Sequence, residues 1–257
     1  MTTTKRHENR VVLVTGAAGG IGSAIAHRYA MEGARVGVVD RDPEHGRALA
    51  EELGEQGAHA CFAQADVSSY DQCLRACETI QAELGAVDTL VNNAGISPKH
   101  EGRAHGVHEM DPAEWNHVVG VNLNSAFNMA RVLTPGMRDR QFGRIVSMSS
   151  VAGKAYLDLV AAHYAATKAA LIGFTRHLAG ELGPYGITVN ALAPGRIDTP
   201  LLRTVAPEAN EAVVQVTPLR RLGTPEEVAQ TCAWLTSPEA EFVTGQVVDV
   251  AGGWLMT

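Results

Sequence analysis

The sequence predicts an α/β protein, a doubly wound parallel sheet with helices on both faces, and three observations carry that prediction. Apolar runs of strand length alternate with segments of helical period along the whole chain. The first run, Val11-Val12-Leu13-Val14, is apolar at every position, as a strand buried on both faces requires, and it passes straight into a glycine cluster and a helix. With 257 residues, 46% of them hydrophobic and 19% charged, the chain can bury a full core as one domain, and no Pro/Ser-rich linker or internal repeat divides it. Residues 1–9 read as a flexible N-terminus.

After Val11–Val14, the turn Thr15-Gly16-Ala17-Ala18-Gly19-Gly20-Ile21-Gly22 redirects the chain without Cβ crowding. A helix follows over 20–32, with Ile21, Ala24, Ile25 and Tyr29 at helical spacing and Gly33 at its stop. Strand, tight turn and helix N-terminus together aim backbone N–H groups and the positive end of a helix dipole at one point, a site for a phosphate or pyrophosphate. The second strand, Arg35–Val39, ends in Asp40, about 20 residues on, where a dinucleotide-binding unit places an acid for ribose hydroxyls.

A polar helix over 43–55 leads to a strand at 59–64 that ends at Asp66-Val67, and a helix over 69–84 leads to a strand at 87–91. Asn92-Asn93-Ala94-Gly95 stands at the carboxyl end of that strand, the edge where open α/β sheets bind ligands. Residues 96–110 are irregular and rich in histidine and base (Lys99, His100, Arg103, His105, His108), as functional loops inside compact domains often are. Asp111-Pro112-Ala113-Glu114 then opens a helix to residue 137, with an acid at the N-cap, proline at N1 and Asn122 in an apolar stretch. The fifth strand, 143–149, delivers Ser147, Ser149 and Ser150. A helix over 161–182 carries Tyr164 and Lys168, and the sixth strand, 187–192, is ended by Pro194-Gly195. A second irregular stretch, 196–223, precedes the capping box Thr224-Pro225-Glu226-Glu227 of a helix to 235. A short strand at 246–250 closes the sheet, and the apolar tail after it suits packing on a neighbouring subunit.

Composition excludes several classes. The formal net charge of −7 argues against a nucleic-acid surface. No apolar run approaches the roughly 18 residues of a membrane span and the first ten residues have no apolar core, so a cytoplasmic protein is expected. The four cysteines, Cys61, Cys73, Cys77 and Cys232, lack paired metal spacing and read as reduced thiols; no metal site is expected.

The chemistry centres on Tyr164-Ala165-Ala166-Thr167-Lys168, where phenol and ammonium lie four residues apart on one helix face. A nearby cation stabilises phenolate and lowers a pKa that otherwise stands near 10, so Tyr164 becomes able to exchange a proton near neutrality. With Asn122, Asp66-Val67, Asn92-Asn93-Ala94-Gly95, Ser150, Asn190 and Pro194-Gly195-Arg196-Ile197-Asp198-Thr199, the chain resembles the short-chain dehydrogenase/reductase family from about residue 10 to residue 253.

That resemblance implies a seven-stranded Rossmann-type sheet, a nicotinamide cofactor, a small-molecule substrate and a homotetramer built through the long central helices and the C-terminal segment. It makes Tyr164 the general acid/base, Lys168 the group that lowers the Tyr164 pKa and holds the nicotinamide ribose, Ser150 the partner of the substrate oxygen and Asn122 the support of a water relay to Lys168. Ser149 competes with Ser150, but neighbours on a strand face opposite ways and the family pattern Ser-Ser-x-x-Gly selects the second. The separation of Ser150 from Tyr164 exceeds that of many members by one residue, which assigns an insertion to 154–163. Cofactor contacts by resemblance begin with Gly16, Gly19, Gly20, Ile21 and Gly22 at the turn and Asp40 and Arg41 after the second strand. They continue with Asp66, Val67, Asn93, Ala94 and Gly95, and close with Tyr164, Lys168, Pro194, Gly195, Ile197 and Thr199.

NAD is expected over NADP. A 2′-phosphate about 4 Å from the Asp40 carboxylate costs on the order of 4 kcal/mol before screening, and Ala17-Ala18-Gly19 holds no base to offset it, although Arg41 lies next door. The activity expected is hydride transfer between NAD(H) and a secondary alcohol or ketone, with an NADPH-dependent 3-oxoacyl-thioester reductase as the alternative because 191–200 and 221–229 also resemble that group. A non-catalytic nucleotide sensor is the alternative of another class, against which retention of Tyr164 and Lys168 counts. Arg196 beside the expected nicotinamide position, with Lys99, His100 and Arg103 at the same sheet edge, points to a substrate bearing a carboxylate.

Overall fold

Seven parallel strands form one sheet in the computed structural model, which describes residues 5–200, 202 and 207–257. They are β1 (Val11–Thr15), β2 (Arg35–Asp40), β3 (Ala60–Gln64), β4 (Thr89–Asn92), β5 (Gly143–Met148), β6 (Ile187–Pro194) and β7 (Val247–Val250), in the order β3-β2-β1-β4-β5-β6-β7. Side chains alternate between faces, and both faces are covered. Val11 and Leu13 of β1 enter one core with Ile80, Met129 and Leu182, while Val12 and Val14 enter the other with Ile25, Tyr29 and Cys232. The first core lies under α3 (Tyr70–Leu84), α5 (Ser125–Asp139) and α6 (Ala162–Leu182); the second lies under α1 (Gly20–Met31), α2 (Pro43–Glu55) and α8 (Pro225–Leu235). This double coverage is why the strands read as continuous apolar runs.

The strand order reverses beside β1, which pairs with β2 on one side and with β4 on the other. The crevice at the carboxyl ends of β1 and β4 is therefore the topological switch point of the sheet. Gly16 sits there at φ +63°, and a Cβ on it would stand 2.7 Å from the Ala94 Cα. Only glycine lets the two strand ends approach so closely.

Three expectations need correction. The single helix expected from 111 to 137 is α4 (Pro112–Val119), a π-helical turn (Gly120–Asn124) and α5 in one continuous rod. The widened turn contains Asn122, and such π segments frequently mark functional sites. Residues 196–223 are not wholly irregular, since α7 (Pro207–Val216) forms within them behind a proline and an acid in its first turn. Finally, residues 5–9 of the expected flexible terminus are packed. His7 is buried, and Arg6 is paired with Glu32 at the end of α1. Residues 1–4 lie outside the described ones.

Candidate active site

A cavity of about 460 Å³ opens at the carboxyl edge of the sheet, walled by the glycine turn, the ends of β2 to β6 and both irregular loops. Its cradle follows from local hydrogen bonding. Asn93 Nδ2 donates to the Thr15 carbonyl at 3.0 Å and the Gly16 carbonyl at 2.9 Å, and Thr15 Oγ1 accepts from the backbone N–H groups of Asn93 and Ala94 at 3.1 and 3.2 Å. The ends of β1 and β4 are thus tied together. Gly22 is equally confined, since a Cβ there would meet the Gly16 carbonyl oxygen at 2.1 Å, whereas Gly19 has open space before it. No side chain caps α1, so its N-terminal N–H groups are free to face an anion.

Asp40 closes the far side of the cradle. Its Oδ2 accepts from Ala18 N–H at 2.9 Å and its Oδ1 from Asp42 N–H at 3.0 Å, which fixes the carboxylate while leaving lone pairs on both oxygens. Asp66 is held by the Ser68 hydroxyl and N–H at 2.7 and 2.9 Å, bonds that lower its pKa. Ile21, Arg41, Val67, Gly95, Pro194, Gly195, Ile197 and Thr199 all line the same cavity. An open glycine face, an uncapped helix N-terminus and an anchored carboxylate fit the pyrophosphate and ribose of a dinucleotide.

The reactive end lies between β5 and α6. Ser149 and Ser150 do take different directions: Ser149 Oγ donates to the Lys168 carbonyl at 2.8 Å, and Ser150 caps a 3-10 turn (Val151–Gly153) by accepting from Ala152 N–H at 3.2 Å. Gly153 brings that turn against α6; a Cβ on it would lie 2.6 Å from the Lys168 carbonyl carbon. Ser150 and Tyr164 thereby share the cavity floor. Burial raises the Tyr164 hydroxyl above its ordinary range, and the Ser150 hydroxyl and the Arg196 charge pull it back down. Lys168, assigned that last task by its spacing, instead donates from Nζ to the Met148 carbonyl at 2.6 Å, 5.5 Å from the centre of the Tyr164 ring. Its own ammonium is lowered to about 8 by burial. Asn122 is fully buried, with Oδ1 accepting from Ile96 N–H at 2.8 Å and Nδ2 donating to the Ile96 carbonyl at 3.0 Å.

Of the four bases near the sheet edge, two stay in the cavity and two do not. Lys99 and Arg196 line it, whereas Arg103 makes a double hydrogen bond to Glu109 and His100 binds Glu114 at 2.6 Å. Glu114 also meets the buried His163 at 3.0 Å, directly before Tyr164. Sequence spacing could not show this cluster, because its members come from a loop and two helices. His100, His105 and Glu114 bring ligand atoms within 4.8 Å of one another. The two rings are stacked 7° from parallel at 3.5 Å, so their in-plane lone pairs do not converge on one ion.

A family model described as enoyl-(acyl carrier protein) reductase matches residues 16–255, and the chain belongs to the short-chain dehydrogenase/reductase family. It is an oxidoreductase of the kind that uses a nicotinamide dinucleotide. An acetoacetyl-CoA reductase of Rhizobium meliloti is 42% identical over 248 residues, covering 95% of this chain and 98% of that protein. Among solved structures, a 3-oxoacyl-[acyl-carrier protein] reductase of Brucella melitensis superposes with TM-score 0.96 at 54% identity, covering 100% of this chain and 95% of that one. A second structure of such a reductase from that organism, with bound NAD, gives TM-score 0.94 at 53% identity, with the same coverage of both chains.

Proposed function

We propose that the protein interconverts 3-oxoacyl and 3-hydroxyacyl compounds with NAD(H). The reading rests on one observation above all: Tyr164 and Ser150 line the same cavity as the cradle formed by Gly16, Gly19 and Asp40. The names of the relatives favour a 3-oxoacyl substrate over an unspecified secondary alcohol. When bound, the reduced nicotinamide supplies a hydride to the carbonyl carbon. Ser150 Oγ holds the carbonyl oxygen and stabilises the charge that gathers there, and Tyr164 Oη delivers the proton that turns it into a hydroxyl. Lys168 holds the ribose with its charged amine. Asn122 supports the site by fixing the Ile96 backbone beside Lys168, since both ends of its amide are already engaged.

Asp40 supports NAD over NADP, because its anchored carboxylate accepts ribose hydroxyls and repels a phosphate at the same place. The Brucella relative with bound NAD shows that a similar protein accommodates this cofactor. Steady-state kcat/KM for a 3-oxobutanoyl thioester and for 3-oxobutanoate with each cofactor tests the reading; faster reduction with NADPH refutes the cofactor assignment. A cytoplasmic homotetramer belongs to the same proposal. Exposed Trp115 and Phe127 on the α4–α5 rod and Met256 at the C-terminus supply apolar surface for such contacts, and light scattering that finds a monomer rejects it.

A further inference from the structure

We infer that Lys99 and Arg196 form a two-cation clamp for a carboxylate, so that the preferred substrate is a free 3-oxo or 3-hydroxy acid and not its thioester. The inference rests on the 3-oxoacyl reading above and narrows it. Lys99 comes from the loop after β4 and Arg196 from the end of β6, yet both are half-buried in the cavity that holds Tyr164. Neither meets an acid among the described residues, although the chain carries 28 acidic residues against 21 basic ones. Each is instead held by a neutral oxygen. Lys99 Nζ donates to the Leu159 carbonyl at 2.5 Å, and Arg196 donates from Nε and Nη2 to Asn210 Oδ1 at 2.9 and 2.5 Å.

These contacts hold the two groups without cancelling their charge. Lys99 keeps two N–H donors, and Arg196 keeps the edge formed by Nη1 and the second proton of Nη2, the fork that matches a carboxylate. Two like charges confined together in a half-buried site repel, and burial already lowers the pKa of each, with Arg196 adding to the effect on Lys99. An anion relieves both penalties. A thioester is neutral at this position and relieves neither, leaving desolvated donors unanswered. Arg196, Lys99 and Tyr164 line one cavity, so an anion bound there shares it with the reacting carbonyl, as the short spacing of a 3-oxo acid requires. Leu159, which holds Lys99, lies in the segment 154–163, the part that departs from the family spacing. The balanced step is reduction of the ketone C=O to CH–OH: one hydride, with its two electrons, from NADH to carbon and one proton from Tyr164 to oxygen, leaving NAD⁺ and the 3-hydroxy acid.

The experiment compares kcat/KM of the unaltered protein for 3-oxobutanoate, its methyl ester and its coenzyme A thioester, then repeats acid and ester with Lys99→Met and Arg196→Leu. NADH binding by fluorescence confirms that each variant is folded. The clamp predicts the acid preferred by about tenfold or more, and a fall of about tenfold in the acid-to-ester ratio in each variant. A preferred thioester with an unmoved ratio overturns the clamp and leaves the 3-oxoacyl reading standing. Acid preference that survives both substitutions also overturns it, by placing recognition elsewhere. Turnover of none of the three compounds removes the 3-oxoacyl reading itself.

Discussion

Tyr164 and Lys168 lie one helical turn apart, and the proposed reaction gives them different work. In the proposed reaction, removing the phenolic proton takes away the acid and touches no phosphate contact. Tyr164→Phe is therefore expected to lower kcat by roughly 10²- to 10⁴-fold while the Kd for NADH stays within about twofold. Retained turnover in the purified variant would falsify the assignment. Lys168 is charged below its pKa of about 8 and neutral above it, because burial opposes the ammonium. Charge-assisted bonds to a ribose weaken when that charge is lost. Affinity for NADH is thus expected to fall as pH rises through about 8, and Lys168→Met is expected to be weaker throughout and to lack the inflection. Fluorescence titrations on either side of that pH check both statements.

The π turn between α4 and α5 shows how an element is bent to serve a site. Its Asn122 amide binds both backbone groups of Ile96, the first residue of the loop that carries Lys99. Asn122→Ala leaves a partly buried N–H and a partly buried carbonyl without partners, at a cost of about 1–3 kcal/mol. Unfolding midpoints in denaturant measure that loss, and faster hydrogen exchange around Ile96 is expected to accompany it. A variant as stable and as protected as the parent would show that the turn needs no such tie. At the other end of the loop, Glu114 holds His100 and His163 together, so the loop after β4 and the helix bearing Tyr164 share one carboxylate.

The whole molecule is fastened by a buried carboxylate far from the site. Glu32, fully buried at the end of α1, accepts from Arg6 Nε at 2.8 Å and from Arg28 Nε at 2.5 Å, and it lies 3.5 Å from His7 Nε2. His7 Nε2 also lies 3.0 Å from the Ala233 carbonyl of α8. This lock joins the N-terminal segment, α1 and α8 across one face of the sheet. Glu32→Ala strands two guanidinium groups and is expected to destabilise the fold by about 3 kcal/mol, read as a lower denaturant midpoint. Cofactor affinity measured well below that midpoint is expected to be unchanged, because the cradle is on the opposite edge.

Much of the fold and part of the site were legible in the sequence because they depend on neighbours along the chain. Apolar runs in β1 and β6, helical period in α1, the capping box at Thr224 and the spacing of Tyr164 to Lys168 are all set by backbone geometry over a few residues. The end of β2 at Asp40 follows from the same logic. Tertiary structure alone decided which charges find partners. His100 and Arg103 look like Lys99 and Arg196 in composition, yet the first two end on glutamates and the second two meet no acid among the described residues. It also decided that Ser150, Met148 and Arg196 surround the tyrosine–lysine pair, and that Glu32 reaches back to Arg6. Apart from the local Arg103–Glu109 pair, those outcomes come from contacts between distant segments and from desolvation. Neither leaves a period in the sequence, since both depend on which loops the folded sheet brings to one edge.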